Sequence, residues 1–172
     1  MSRNAKIVGI TVIVLFFTVS VLAWLNQSYM AERKAIQQSG TFVISADGSQ
    51  YKVMMDDLED IGFSIIEASY KTNLMPAEKK QYTGVSLKSV LDYVGADYSG
   101  AKSLSFSAAD GYASAAPIAH ALDEANCFIV VKEAGSPLGT KESGGTGPYM
   151  VVFAKDRYSQ RWCKYLLEIT IN

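Results

Sequence analysis

One histidine and two cysteines stand among the 172 residues. A histidine-rich metal centre is therefore excluded, and no zinc site of ordinary ligand spacing is present. Cys127 and Cys163 are too far apart for a redox C-x-x-C pair. The chain also lacks a charge excess: 16 basic against 17 acidic residues leave a net charge of −1. That removes the electrostatic footprint of a nucleic-acid binder, and no like-charge run is long enough to act as a tail. With 13 glycines and 4 prolines and 49% hydrophobic residues, the chain is neither collagen-like nor disordered. No internal repeat is visible, and no Gly-Lys-Ser/Thr closes a phosphate loop.

What is abundant is apolar sequence, and it is unevenly spread. Residues 7–25 (IVGITVIVLFFTVSVLAWL) carry no charge. As a helix they span about 28 Å, close to the hydrocarbon thickness of a bilayer. Such a run is longer than the apolar region of a cleaved signal peptide. Val21-Leu22-Ala23 offers a small-residue cleavage site, but bulky Trp24 follows it. The expectation is an uncleaved single-pass anchor in the cell membrane, with secretion after cleavage as the alternative. No cysteine follows the run, so a lipoprotein site is absent. Arg3, Lys6 and the terminal amine predict a cytoplasmic amino terminus, with Arg33 and Lys34 weakening the bias. Residues 26–172 are then extracytoplasmic; with 14 basic and 17 acidic residues they carry −3.

The predicted organisation is a signal anchor over 1–25, a helical stalk over 26–40 rich in Ala, Glu, Lys and Gln, and one domain over 41–172. Strands are predicted at 41–45 and 50–54 around an Asp47-Gly48 turn, then at 63–70, 104–107, 112–116, 128–131, 149–153 and 164–171. Short helices are predicted at 55–61, at 85–94 with Ser86 as N-cap and Gly95 as stop, and from Pro117 to Leu122. Residues 71–80 and the glycine-rich 135–148 read as loops. Many short strands with few helices predict an α+β, mostly antiparallel domain.

Four ordered segments carry a resemblance. They are Tyr82-Thr83-Gly84-Val85-Ser86-Leu87, Ala109-Asp110-Gly111-Tyr112, Gly147-Pro148 ahead of YMVVF, and Arg161-Trp162-Cys163-Lys164-Tyr165-Leu166 ahead of EITI. In order and spacing they resemble the molybdopterin-binding domain of the sulfite oxidase family, over about residues 41–172. The resemblance implies that fold, molybdopterin as cofactor and an oxidoreductase activity. It also implies a cysteine thiolate on molybdenum, near the end of the strand FSIIEASY, because a soft sulfur donor suits that metal. Here that place reads Glu67-Ala68-Ser69-Tyr70, and the first cysteine is Cys127. Ser69 is near the ligand position and could ligate a metal only as an alkoxide. The family's upstream cofactor-binding segment is short or missing.

Arg161 and Lys164 stand where the family places basic residues near the pterin phosphate, which makes them candidates for an anion site. The alternative is a solvated turn shared with Lys155 and Arg157. Lys141 lies in the stretch 139–148 (GTKESGGTGP), whose amides could form an anion-binding nest or simply a loop. Tyr70 and Tyr112, at strand ends, are the tyrosines expected to face a pocket. His120 sits near Asp123 and Glu124 on a helix end and reads as a surface residue. Cys127 and Cys163 are either a disulfide or, as favoured, two buried thiols on neighbouring core strands. No catalytic and no metal-ligating residue is assigned.

The predicted function is a membrane-anchored, extracytoplasmic module that binds a small anionic ligand or an envelope protein and is not a catalyst. A molybdopterin-dependent oxidoreductase with atypical ligation and a structural module of an envelope complex are the alternatives. Intact mass of the membrane-fraction protein tests the anchor: 18.7 kDa is expected, and a mass short by the first 23 residues would show cleavage.

Overall fold

The computed structural model describes residues 3–172, apart from the side chains of residues 3–7, 28–30, 32, 34, 37 and 38. The charge bias from Arg3, Lys6 and Lys34 lies outside the described side chains. The first element, α1 (Arg3–Gln38), joins the predicted anchor and stalk in one helix. Within it Val8–Gln27 is long and apolar enough to cross a membrane, and its side chains have no core to enter. The chain divides between Ala35 and Ile36 into two compact units.

The second unit begins with β1 (Phe42–Ala46) and β2 (Ser49–Val53). Asp47 (φ 44°) and Gly48 (φ 77°) form the two-residue turn between them, where positive φ twists the chain in the sense the hairpin needs. Helix α2 (Met55–Ile61) follows, with Asp56 and Asp57 in its first turn. The Asp57 carboxylate accepts the Met54 N–H at 2.8 Å, which places negative charge at the positive end of the helix.

Next come β3 (Ser64–Tyr70), β4 (Glu78–Ser86) and α3 (Leu87–Val94). The predicted loop 71–80 is therefore too long: Glu78, Lys79 and Lys80 pair with Tyr70, Ser69 and Ala68. Their polarity marks an exposed face of a strand rather than an unpaired segment. The helix also starts two residues later than predicted, because Val85 and Ser86 still pair with Ile129 and Phe128. The Ser86 hydroxyl accepts the Ser89 N–H at 3.0 Å and Gly95 closes the helix at φ 66°, as the sequence predicts. Leu87, Val90 and Leu91 form its buried stripe.

The remaining elements are β5 (Ser103–Ala108), β6 (Ala113–Pro117), α4 (Ile118–Ala121), β7 (Cys127–Glu133), β8 (Ser136–Pro137), β9 (Met150–Phe153), a 3-10 turn at Ser159–Arg161 and β10 (Leu166–Ile171). One sheet runs β2-β1-β10-β5-β6; the other runs β3-β4-β7, with β8 and β9 both paired to β7. Among the described residues only β1 and β10 pair in parallel. The domain is thus α+β and mostly antiparallel. Phe106 of the first sheet meets Phe153 of the second edge-on, with centroids 5.8 Å apart. One apolar cluster fills the space between the sheets and takes its members from residues 42–171 alone.

Gly84 lies at the bulge where β4 shifts register against β7. A Cβ there would sit 2.2 Å from the Ile129 carbonyl oxygen and 2.7 Å from the Val130 Cα, both backbone atoms that cannot step aside. Gly84→Ala is expected to lower unfolding stability by about 1–3 kcal/mol, read by chemical denaturation. Cys127 and Cys163 are fully buried thiols, not joined in a disulfide, beside β9 at Phe153 and Val151. Burial pushes the Cys127 thiol up. Neither is expected to alkylate in the native protein, and both should do so after unfolding without reductant.

Candidate functional site

A cleft of about 390 Å³ opens where the end of β3, the turn before β6 and the segment after the 3-10 turn converge. Its walls are Tyr70, Asp110, Tyr112, Ser159, Gln160, Trp162 and Lys164. The floor is Trp162. The indole is buried, and its Nε1–H donates to the Phe153 carbonyl at 3.2 Å. Tyr82 meets it edge-on at 5.8 Å, and Tyr70 leans on it at a tilt, with centroids 5.6 Å apart. The extended backbone at Trp162 (φ −66°, ψ 130°) sets Trp162 and Lys164 on the cleft while Cys163, between them, enters the core.

Asp110, at the Asp110-Gly111 turn, supplies another part of the lining. The Asp110 carboxylate accepts the Tyr112 N–H at 3.0 Å, the local bond that makes Asp favourable in turns. The Tyr112 hydroxyl donates to the Gln160 carbonyl, which ties the turn to the segment 159–161. Burial, then the neighbouring Cys163 and Asp110, holds that phenol above its usual range, so it stays a protonated donor. Ser159 closes the third side: its N–H and hydroxyl both donate to the Lys71 carbonyl, at 2.9 and 2.7 Å.

Two ammonium groups flank Tyr70. Lys80 Nζ is 5.5 Å and Lys164 Nζ 5.2 Å from the ring centroid. They are not equivalent. Lys80 is neutralised by Glu133 at 2.6 Å, which also raises its pKa. Lys164 has no carboxylate within ion-pairing distance among the described residues, and it lines the cleft. It is the cationic side chain of the cleft lining.

The structure thus brings together Tyr70, Tyr112 and Lys164. It does not bring Arg161 with them. The guanidinium turns away to a two-point pair with Asp156, whose Oδ2 accepts Nε–H at 2.8 Å. It stacks 4.4 Å from the Phe153 ring centroid and reaches His120 Nδ1 at 3.3 Å. That pairing satisfies the planar fork internally. Lys141 is also elsewhere, 5.8 Å over the Tyr165 ring. In its glycine-rich loop the N–H groups of residues 143–147 donate to the carbonyls of Thr140, Lys141, Thr140, Leu138 and Gly139 in turn, so they bind the loop to itself rather than to an anion. Gly145 is there because a Cβ would lie 2.1 Å from the Leu138 carbonyl oxygen. His120 is exposed, as the sequence suggests. Trp162 and Asp110 lay inside the quoted motifs without being singled out. Ser159 and Gln160 carry no sequence signal.

The cleft offers no thiol to a metal. Both cysteines are buried and line no part of it, and Ser69 faces a separate cavity of about 190 Å³ with Glu67, Ala68, Lys79 and Ala154. No three His, Cys, Asp or Glu side chains group as metal ligands among the described residues. The donor set therefore does not fit a thiolate-held molybdenum. The cleft lining supplies aromatic rings, one ammonium and one carboxylate.

No curated protein matches the chain. Among solved structures, the sulfane dehydrogenase SoxCD from Paracoccus pantotrophus is similar in fold, with a TM-score of 0.65 at 16% sequence identity. The similarity covers 78% of this chain and 38% of that one, so this chain spans well under half the length of that protein. Residues 64–172, from β3 to the carboxyl terminus, match the oxidoreductase molybdopterin binding domain. With more than half of its length matched, the chain belongs to the oxidoreductase molybdopterin-binding domain family.

Proposed function

We propose that this protein is a membrane-anchored, extracytoplasmic module that binds a small anionic ligand on a molybdopterin-binding fold and does not turn it over. The observation that carries the reading is Lys164. It is the cleft's cation, it lacks a carboxylate partner among the described residues, and it stands beside the Tyr70 and Trp162 rings. A ligand with a planar ring and a carboxylate or phosphate satisfies all of these groups at once. Asp110 adds an acceptor for a ring N–H or amino group.

The absence of a thiol from the cleft supports binding without turnover, since the family's redox chemistry depends on a sulfur-ligated metal. Anchoring is supported by Val8–Gln27 and the extracytoplasmic location by the charge bias of the amino terminus.

Two measurements test the reading. Protein purified from a host that makes molybdenum cofactor is expected to carry molybdenum far below one equivalent; near-stoichiometric metal would overturn the non-catalytic assignment in favour of an oxidoreductase with atypical ligation. With pterin-6-carboxylate as a fluorescent probe, Lys164→Gln is expected to weaken binding about tenfold while Arg161→Gln, outside the cleft, leaves it nearly unchanged. Equal affinity of wild type and Lys164→Gln would remove Lys164 from the site.

A further inference from the structure

The connection between β3 and β4 ends in an exposed apolar tip. Leu74 is 96% and Met75 53% exposed. Isolated exposed apolar residues are ordinary on protein surfaces. Two adjacent ones held outward by a braced backbone are a different matter. The Thr72 hydroxyl oxygen accepts the N–H groups of Leu74 and Met75, at 3.3 and 3.1 Å, and the Lys71 carbonyl takes both donors of Ser159. The tip is thus anchored at its base.

Around that base lies a collar of positive charge. Lys71 Nζ is 4.8 Å and Arg157 Cζ 5.6 Å from the Tyr158 ring centroid, and Lys79 is exposed on the returning strand. None of the three has a carboxylate partner among the described residues, while Glu78, the one acid of the segment, lies 4.0 Å from Lys80. An apolar point, a half-buried tyrosine and unpaired Lys and Arg form the pattern that enters a lipid interface: apolar groups go below the headgroups and cations stay among their phosphates. An acidic protein would answer the collar but would need a dedicated pocket for Leu74. A bilayer needs none, and Val8–Gln27 of the same chain keeps one at high effective concentration.

We propose that the β3–β4 tip docks on an anionic bilayer surface, with Leu74 and Met75 inserted and Lys71, Lys79 and Arg157 among the headgroups. The proposal rests on the anchored reading above. Because Tyr70 lies one residue before Lys71, and Ser159 is tied to Lys71, docking would seat the ligand cleft at the membrane surface.

The test uses the full chain in vesicles of phosphatidylglycerol with phosphatidylcholine, and of phosphatidylcholine alone. Leu74→Trp is compared with wild type and with Ile65→Trp, a control at a 69% exposed site at the other end of β3. The emission added by Leu74→Trp is expected to shift to the blue and to be quenched by brominated acyl chains, about threefold more in the anionic vesicles. The Ile65→Trp emission should stay open to iodide. Adding Lys79→Gln and Arg157→Gln should bring quenching in the two lipids together. If Leu74→Trp is as open to iodide as the control in both lipids, the docking proposal fails, and a protein becomes the partner to seek. Equal quenching in both lipids before the charge substitutions overturns the anionic-surface assignment. A chain that does not float with the vesicles defeats the anchoring reading itself and this proposal with it. One that floats while the indole of Leu74→Trp stays in water defeats this proposal alone.

Discussion

The buried hydrogen bond from Trp162 Nε1 to the Phe153 carbonyl sets the geometry of the cleft. An indole N–H left unpaired in the core would cost on the order of 1–3 kcal/mol, so the ring is confined to the orientation that satisfies it. That orientation makes the indole a floor against which Tyr70 and Tyr82 lean. It also fixes the alternation that follows: Cys163 inward against Val151, Lys164 outward into the cleft. A ligand cleft and a sealed core are thereby built from three consecutive residues.

Charge in this region is divided between holding the walls and meeting a ligand. Arg161 and Lys80 each have a carboxylate, Asp156 and Glu133, and contribute to rigidity. Lys164 has none among the described residues, and it lines the cleft. Within the cleft lining itself the charged side chains are Asp110 and Lys164. Sequence position alone treats Arg161 and Lys164 as equals; the pairing separates them.

Most secondary structure was legible before any coordinates. The Asp47-Gly48 hairpin, the Ser86 cap, the Gly95 stop and the apolar strand around Phe128–Val131 follow from local rules that tertiary contacts do not override. The errors fell where pairing outweighs local polarity. The run from Glu78 to Lys80 looks like a loop because one strand face is wet, and Val85 looks helical because a bulge at Gly84 carries the strand past it. Of the residues that line the cleft, Tyr70, Tyr112 and Lys164 were legible from their places at strand ends and in family-like motifs. Ser159 and Gln160 were not, because they contribute through a backbone turn that no residue pattern announces.

By itself the sequence determined that the chain has an apolar helix of membrane-spanning length, an α+β domain after it, and two cysteines, neither of them before Cys127. These follow from composition, periodicity and residue identity, which do not depend on distant contacts. Only the tertiary structure decided which of the basic residues lines the cleft, that both thiols are buried, and that the glycine-rich loop turns its amides onto itself. Each of those depends on residues far apart in the chain or on backbone groups whose partners are chosen by the fold, and hydrogen-bond pairing in three dimensions is what distinguishes a binding group from a structural one.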